Sequence, residues 1–396
     1  MGFDGVKTLE DMDLKGKKVF LRVDYNVPLN ANGDIVDDFR IRASLPTIKK
    51  IFSMGAKQIF IASHLGRPQN KESKYKMNKI AKRLFLLTKR KLEKLDDCVY
   101  LKKQHIDIPK PSEASIVVLE NLRFHEEEEI NGADFAKELA SIADIYVNDA
   151  FGVSHREHAS VHAITKYIPS CIGLLIEKEL KVFKSVEEPE RPFVAILGGA
   201  KLRTKIPTIT RLLDLVDNIL LGGGMIFTFY KAKGYQIGKS ILDKDFIGMA
   251  LMMSNNPKII LPKDVVLADD FDNPTQVVEY SPENIPSYMI GLDLGRKTIE
   301  QYKKVLEKAK LVVWNGPLGY YENKIFLKST VELLKYLSTR TQTKTIIGGG
   351  DTVAIVEKLG LRDKFYHVST GGGASMQLLE GNSLPAIEVL KEVEEK

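Results

Sequence analysis

The sequence predicts an α/β protein of two domains, each a mainly parallel sheet with helices on both faces. Three observations carry this. Short apolar runs of strand length alternate with longer amphipathic stretches along the chain, the order that builds parallel sheets with crossover helices. The chain has 396 residues, enough for two domains of about 100–200 residues each. The loops after the strands also change character: before about residue 170 they carry Arg, His, Asp and Asn, and after about 190 they carry glycine clusters.

In order along the chain, the first strands expected are KVFLRVDY (18–25), QIFIAS (58–63), SIVVLEN (115–121) and DIYVND (144–149). Each is a short run rich in β-branched or aromatic residues, bounded by polar or turn residues. The Lys- and Arg-rich segment 71–103 reads as a solvated amphipathic helix, and FAKELASIA (135–143) as another helix. GLLIEKELKVFKSVEEPERP (173–192) is helical at first and then proline-rich, which suits a connecting helix at a domain boundary. Then come strands FVAILG (193–198), NILLGG (218–223), KIILP (258–262), LVVWNG (311–316), KTIIGG (344–349) and FYHVST (365–370), with a helix at FLKSTVELLKYL (326–337). The final PAIEVLKEVEEK reads as one more charged helix. The expected division is 1–172, a linker at 173–190, 191–379 and a terminal segment at 380–396.

Hydrophobic residues make up 44% and charged residues 28%, the balance of a soluble globular chain. The net charge of +6 suits anionic ligands or a solvated basic surface. Cys98 and Cys171 form no CxxC pair, so neither a disulfide framework nor a cysteine zinc site is expected, and a reducing compartment fits. The N-terminus lacks an apolar signal core, Val6 breaks the myristoylation pattern, and no apolar run is long enough to span a bilayer. A cytoplasmic monomer is expected. His155, His158 and His162 are too loosely spaced to suggest a zinc site.

Four apolar runs end in glycine: AILGGAK (195–201), LLGGGM (220–225), TIIGGGDT (345–352) and VSTGGGAS (368–375). At the carboxyl edge of a parallel sheet, such turns let backbone N–H groups approach an anion at a helix amino end. Four in one domain point to a phosphate or nucleotide site. None reads G-x-G-x-x-G or G-x-x-x-x-G-K-[ST], so neither the dinucleotide fingerprint nor a P-loop is present. Lys201 and Lys205, expected i,i+4 on one helical face, are the natural point charges for a phosphoryl group. Asp351 either engages Mg²⁺ beside the phosphates or caps a helix. The first half offers Arg22, Asp24 and Asn26, then Arg40 and Arg42, then His64 to Pro68, Arg123 and Arg156. Guanidinium groups at strand ends favour an anionic substrate.

The segments RVDYNVP (22–28), RIRA (40–43), SHLGRP (63–68), LENLRFH (119–125), NDAFGVSHREHAS (148–160), ILGGAK (196–201), GGGM (222–225), WNGPLGYYE (314–322), GGGDT (348–352) and STGGGAS (369–375) closely resemble, in this order, those of phosphoglycerate kinases. The resemblance implies two Rossmann-like three-layer αβα domains joined by a hinge helix, with the last residues returning to the first domain. It implies 3-phosphoglycerate or 1,3-bisphosphoglycerate at Asp24, Asn26, Arg40, His64, Leu65, Gly66, Arg67, Arg123 and Arg156. It implies Mg²⁺ with ADP or ATP at Gly199, Lys201, Lys205, Gly222, Gly223, Gly291, Asn315, Glu322, Gly349, Gly350, Asp351 and Thr352. Glu322 would face the ribose and Asp351 the magnesium. Arg40, Lys201 and Gly371, Gly372 and Gly373 would act on the moving phosphoryl group. Arg203-Thr204, Tyr320-Tyr321, Gln377 and the region 70–110 depart from the commoner pattern. A nicotinamide-dependent dehydrogenase and a nucleic-acid-binding protein are the alternatives.

Overall fold

The structure, a computed structural model, describes residues 5–391. The part of the expected terminal helix and returning segment beyond Lys391, and the Met-Gly start, lie outside the described residues. The chain forms two compact units, one comprising the residues up to Lys181 with those from Ser383 onward, the other Val182–Asn382.

The first unit is built from β1 (Lys18–Val23), α1 (Phe39–Ala43), α2 (Leu45–Ser53), β2 (Gln58–Ala62), α3 (Asn78–Thr88), β3 (Leu92–Lys94), β4 (Ile116–Val118), α4 (Ala133–Ala140), β5 (Ile145–Asp149) and β6 (Ser170–Ile172). Among the described residues these strands make one six-stranded sheet in the order β3-β4-β2-β1-β5-β6, parallel throughout. Strand side chains alternate between faces, and here both faces are apolar. Val19, Leu21, Val23, Ile59 and Ile61 pack with Ile48, Ile51, Ile80 and Leu84 of α2 and α3. Phe20, Phe60, Val117 and Tyr146 point the other way, onto Phe135 and Leu139 of α4. This makes three layers, and it explains why the strands read as continuous apolar runs rather than alternating ones. Each such side chain contributes about 1.5–3 kcal/mol when fully buried. The register sets Arg22 level with Ala62 and Asn148, so the loops after β1, β2 and β5 open on one edge. The helix α5 (Leu174–Glu187) then carries the chain into the second unit.

The second unit contains β7 (Phe193–Leu197), α6 (Ile206–Leu213), β8 (Asn218–Leu221), α7 (Ile226–Ala232), α8 (Ile247–Ser254), β9 (Ile259–Ile260), β10 (Val265–Ala268), β11 (Val277–Tyr280), β12 (Ile290–Leu294), α9 (Arg296–Leu306), β13 (Leu311–Asn315), α10 (Lys328–Ser338), β14 (Lys344–Gly348), α11 (Gly350–Lys358), β15 (His367–Val368) and α12 (Gly373–Leu379). Its main sheet is also parallel, in the order β15-β14-β13-β7-β8-β9. The strand order reverses at β7, flanked by β13 and β8, and open α/β sheets bind ligands outside such a switch point. Pairing puts Leu197, Asn315 and Gly348 level, so the glycine turns that follow stand side by side. A final helix, α13 (Pro385–Glu388), belongs with the first unit, where Leu390 O accepts from Lys7 N.

Every apolar run expected to be a strand contains one, usually ended a residue or more before the loop residues at its carboxyl end. Three expectations need correction. The helix expected over 71–103 is confined to Asn78–Thr88, because Lys89 turns left-handed at φ 53° and the chain then forms β3. Lys201 and Lys205 do not share a helix: Lys201 is extended, a short 3₁₀ turn covers Leu202–Thr204, and α6 begins after Lys205. An antiparallel sheet, β11-β10-β12, also stands where no strand was expected.

Candidate active site

At the carboxyl edge of the first sheet, Asp24 follows β1 and is nearly buried. Arg40, on the first turn of α1, donates to Asp24 Oδ2, and His64 Nδ1 lies 4.0 Å from Asp24 Oδ1. Burial alone would raise the Asp24 carboxyl, but Arg40, His64 and Arg22 together hold it down at about 2. Gly66 joins two more of the expected residues: its N–H donates to Asn26 Oδ1 at 2.8 Å, and its carbonyl accepts from Arg123 Nη1 at 2.9 Å. Leu65 is buried, its N–H donating to Asn121 Oδ1 at 3.1 Å. Arg156 Nε lies 3.2 Å from His155 Nε2. Arg67 is exposed, and Arg42 pairs with Asp38 at 3.2 Å instead of joining the group.

The electrostatics mark this edge as a cationic patch that Asp24, Glu128 and Glu129 offset only in part. His158 is lowered to about 4 by burial and then by Arg22, Arg123 and Arg156. His64 falls well below its usual value through burial, with Arg22, Arg123 and Arg40 adding to the effect against Asp24. Arg123 is itself lowered by burial, with Arg156 and Arg22 acting in the same direction against Glu129. Arg22, read from sequence as one more strand-end guanidinium, is instead a fully buried support. Its Nε donates to Ser160 Oγ at 2.7 Å, and its Nη2 lies 3.6 Å from the equally buried Glu128 Oε1. Glu128 in turn accepts from Ser160 N at 2.9 Å and Ser160 Oγ at 2.6 Å.

In the second unit the glycine turns pack against one another. Gly198 N donates to Asn315 O at 2.9 Å, Gly223 N to Leu318 O at 2.8 Å, and Met225 N to Gly199 O at 3.0 Å. Gly223 has φ +71°, and a Cβ there would stand 2.6 Å from Gly199 N, so this contact needs glycine. Beside these turns lies a cavity of about 620 Å³, in the size range of ligand pockets. Of the expected residues, Gly199, Gly223, Gly291, Glu322 and Asp351 line it. At Gly291 a Cβ would meet Phe227 Cζ at 1.8 Å, so glycine lets the aromatic ring form the wall. Next to the cavity, Lys205 Nζ donates to Asn315 Oδ1 at 2.7 Å and sits 3.9 Å from Met376 Sδ, which ties it to α12 behind Gly371–Gly373. Burial lowers Lys205, with Glu380 and Asp351 opposing. The Asn315 Nδ2 amide is buried without a hydrogen-bond partner. Thr352 Oγ1 accepts from Gly316 N at 2.9 Å, and Gly349 and Gly350 open α11. Gly222 is buried in the turn after β8. Lys201 is exposed and, like Gly371–Gly373, is not part of the cavity wall.

Sequence reasoning missed the apolar walls Phe227, Ile241, Leu292 and Leu318, and also Asp293. Phe227 could have been found, because it lies just beyond the GGGM turn. Leu292 and Asp293 come from β12, which has no glycine cluster to mark it. Burial pushes the Asp293 carboxyl up to about 7 even though Ser329 and Leu294 donate to it. Tyr321 also lines the cavity, and burial followed by its hydrogen bond to Asp351 raises it to about 12.

Residues 9–382 match the model of the phosphoglycerate kinase family. A phosphoglycerate kinase from Dictyoglomus turgidum is 46% identical over 392 residues, spanning 97% of this chain and 98% of its own. One from Trichodesmium erythraeum is 46% identical over 393 residues, spanning 97% and 98%. Among solved structures, phosphoglycerate kinase from Coxiella burnetii superposes with a TM-score of 0.85 at 35% identity, covering 97% of this chain and 98% of that one. The Pyrococcus horikoshii OT3 enzyme gives 0.83 at 30% identity, with coverage of 97% and 98%. Neither the dehydrogenase nor the nucleic-acid reading is supported. With one sheet edge lined by arginines, another by glycine turns, and these likenesses running over nearly its whole length, the chain belongs to the phosphoglycerate kinase family.

Proposed function

We infer that this chain transfers a phosphoryl group reversibly from 1,3-bisphosphoglycerate to ADP, giving ATP and 3-phosphoglycerate. The observation that carries the reading is the contrast between its two sheet edges. One gathers Arg40, Arg123, Arg156 and His64 around a surplus of positive charge; the other has a glycine-lined cavity with apolar walls. The small acid would sit on the first, held by Asp24, Asn26, Arg40, His64, Leu65, Gly66, Arg67, Arg123 and Arg156. The nucleotide base would lie between Phe227, Ile241 and Leu318, with Glu322 at the ribose. Gly199, Gly222, Gly223, Gly349, Gly350 and Thr352 would meet the phosphates through their turns.

The donor set fits a nucleotide-borne Mg²⁺. Such an ion takes one or two carboxylates and otherwise phosphate oxygens and water, and Asp351 is a carboxylate on the cavity wall. The unpartnered Asn315 Nδ2 beside Gly349 is a donor that phosphate would satisfy. Bound Mg²⁺ would neutralise charge on the nucleotide phosphates. An oxygen of the ADP terminal phosphate attacks the acyl phosphorus, and the carboxylate leaves with the electron pair of the broken bond. No covalent enzyme intermediate is required. Arg40 and Lys201 steady the charge on the moving group, aided by the N–H groups of Gly371–Gly373, while Lys205 holds the nucleotide phosphates. Transfer requires the ligands of the two domains to meet and water to be excluded, since water would hydrolyse the acyl phosphate. The hinge would be α5. The two free, buried cysteines suit a cytoplasmic setting, and each chain carries both half-sites, so a monomer suffices.

A coupled assay of ATP-dependent phosphorylation of 3-phosphoglycerate, with and without Mg²⁺, tests this. Turnover that depends on both the acid and the metal is the expected result, and no turnover with 3-phosphoglycerate overturns the reading.

A further inference from the structure

Asp97, Cys98 and His125 form a cluster that the transfer reaction does not use. One ligand atom from each lies within 4.8 Å of the others, and the site is largely buried. Spacing gives no sign of it, because Cys98 has no cysteine partner in sequence. The fold makes it by bringing the loop after β3 against the turn after β4. His125 Nε2 and Asp97 Oδ1 are 2.6 Å apart, and the Cys98 N–H donates to the same oxygen at 2.7 Å. A cation already shares the site: Lys71 Nζ reaches Asp97 Oδ2 at 3.0 Å from a side chain that is 56% exposed. The Cys98 sulfur is fully buried, and none of the hydrogen bonds found at this site uses it.

We propose that Asp97, Cys98 and His125 bind a zinc ion, with Lys71 swinging out to solvent and water taking the fourth position. Carboxylate, thiolate and imidazole are a zinc donor set, and about three protein ligands plus water is the usual open tetrahedral arrangement. Metal–ligand bonds of about 2.0–2.3 Å put neighbouring tetrahedral ligands about 3.3–3.8 Å apart, so small side-chain rotations close the cluster onto the ion. The thiol proton leaves to solvent as the sulfur binds. Because the ammonium of Lys71 and the metal compete for one carboxylate, removing Lys71 should strengthen binding. An Asp–His–Lys arrangement serving packing alone would not respond in that way.

Cobalt(II) is the probe, added to the chelator-treated full chain and displaced with zinc(II). A thiolate-to-cobalt charge-transfer band at one equivalent is expected. It should be lost in Cys98→Ala and kept in Cys171→Ala, which alters the other buried cysteine. His125→Gln should weaken zinc binding by at least the roughly 10–100-fold that loss of an outer partner costs. Lys71→Ala, at an exposed side chain and harmless to the core, should tighten it by up to about 5-fold, the worth of one partly exposed ion pair. Absence of the band in the unaltered chain, its survival in Cys98→Ala, or weaker binding in Lys71→Ala would overturn the proposal.

Discussion

Replacing Arg40 with alanine separates its two effects, one on rate and one on stability. An arginine that stabilises a transferring phosphoryl group is worth about 10³–10⁵ in turnover, or roughly 4–7 kcal/mol at 1.36 kcal/mol per decade. The stability effect can be worked from Asp24. Its carboxyl sits at about 2 instead of the ordinary 3.8, with Arg40 the leading cation beside it. That net depression corresponds to about 2 kcal/mol; it remains after burial, the largest influence, has pushed the other way, and Arg40, His64 and Arg22 share the lowering. The sign follows from the direction of the shift. A depressed carboxyl stabilises the fold above its unfolded value near 3.8, and the contribution fades as pH falls through about 2. Arg40→Ala should therefore lose at least about 10³ in kcat. Its stability at pH 7 should fall by roughly 2 kcal/mol, and the gap should narrow at pH 3. The coupled assay reads the first effect and urea unfolding at both pH values the second. Turnover within tenfold of the parent, with the fold intact, would refute the role of Arg40. A stability loss that does not shrink in acid would refute the account of Asp24.

Lys201→Ala, at an exposed position, should cut turnover by about 10² or more while leaving the melting temperature nearly unchanged, and near-normal turnover would contradict its role. Gly223→Ala forces a side chain into a left-handed turn and toward Gly199 N, at about 1–2 kcal/mol of strain. The KM for ADP should rise roughly tenfold, and an unchanged KM would show that the turn does not carry nucleotide. Small-angle scattering should show more compaction with both substrates than with either alone, and no change would argue against closure. Asp149 is fully buried, and burial pushes its carboxyl to about 7 from 3.8. The folded state then keeps a proton that the unfolded chain releases, so this group costs stability as pH rises from about 4 to 7. Asp149→Asn, which can still accept from the N–H of Leu175, should gain stability relative to the parent between pH 5 and pH 8 in urea titrations. A difference independent of pH would count against this assignment.

The sequence alone determined ten of the fifteen described strands, the glycine turns that follow them and the chemical character of each half. Those signals are local. A run such as FVAIL is a strand because its residues suit a sheet covered on both faces, and a triplet such as GGG marks a turn whatever lies nearby. Residue types at strand ends, such as Asp24 after β1 and His64 after β2, are likewise legible because parallel sheets gather their carboxyl ends on one edge. Tertiary structure decided what depends on partners distant in the chain. It set Gly223 against Gly199 and opened the wall at Gly291 for Phe227, a residue more than 60 positions earlier. It also buried Arg22 on Glu128, where sequence could see only one more basic residue. Lys201 and Lys205 kept their spacing but lost their shared helix, because the backbone there stays extended before α6 begins. Asp97, Cys98 and His125 meet only because two strands end side by side. Propensity is a property of a few consecutive residues, whereas a cavity, a buried ion pair or a ligand cluster is a property of packing between segments, and no local pattern encodes which segments will touch.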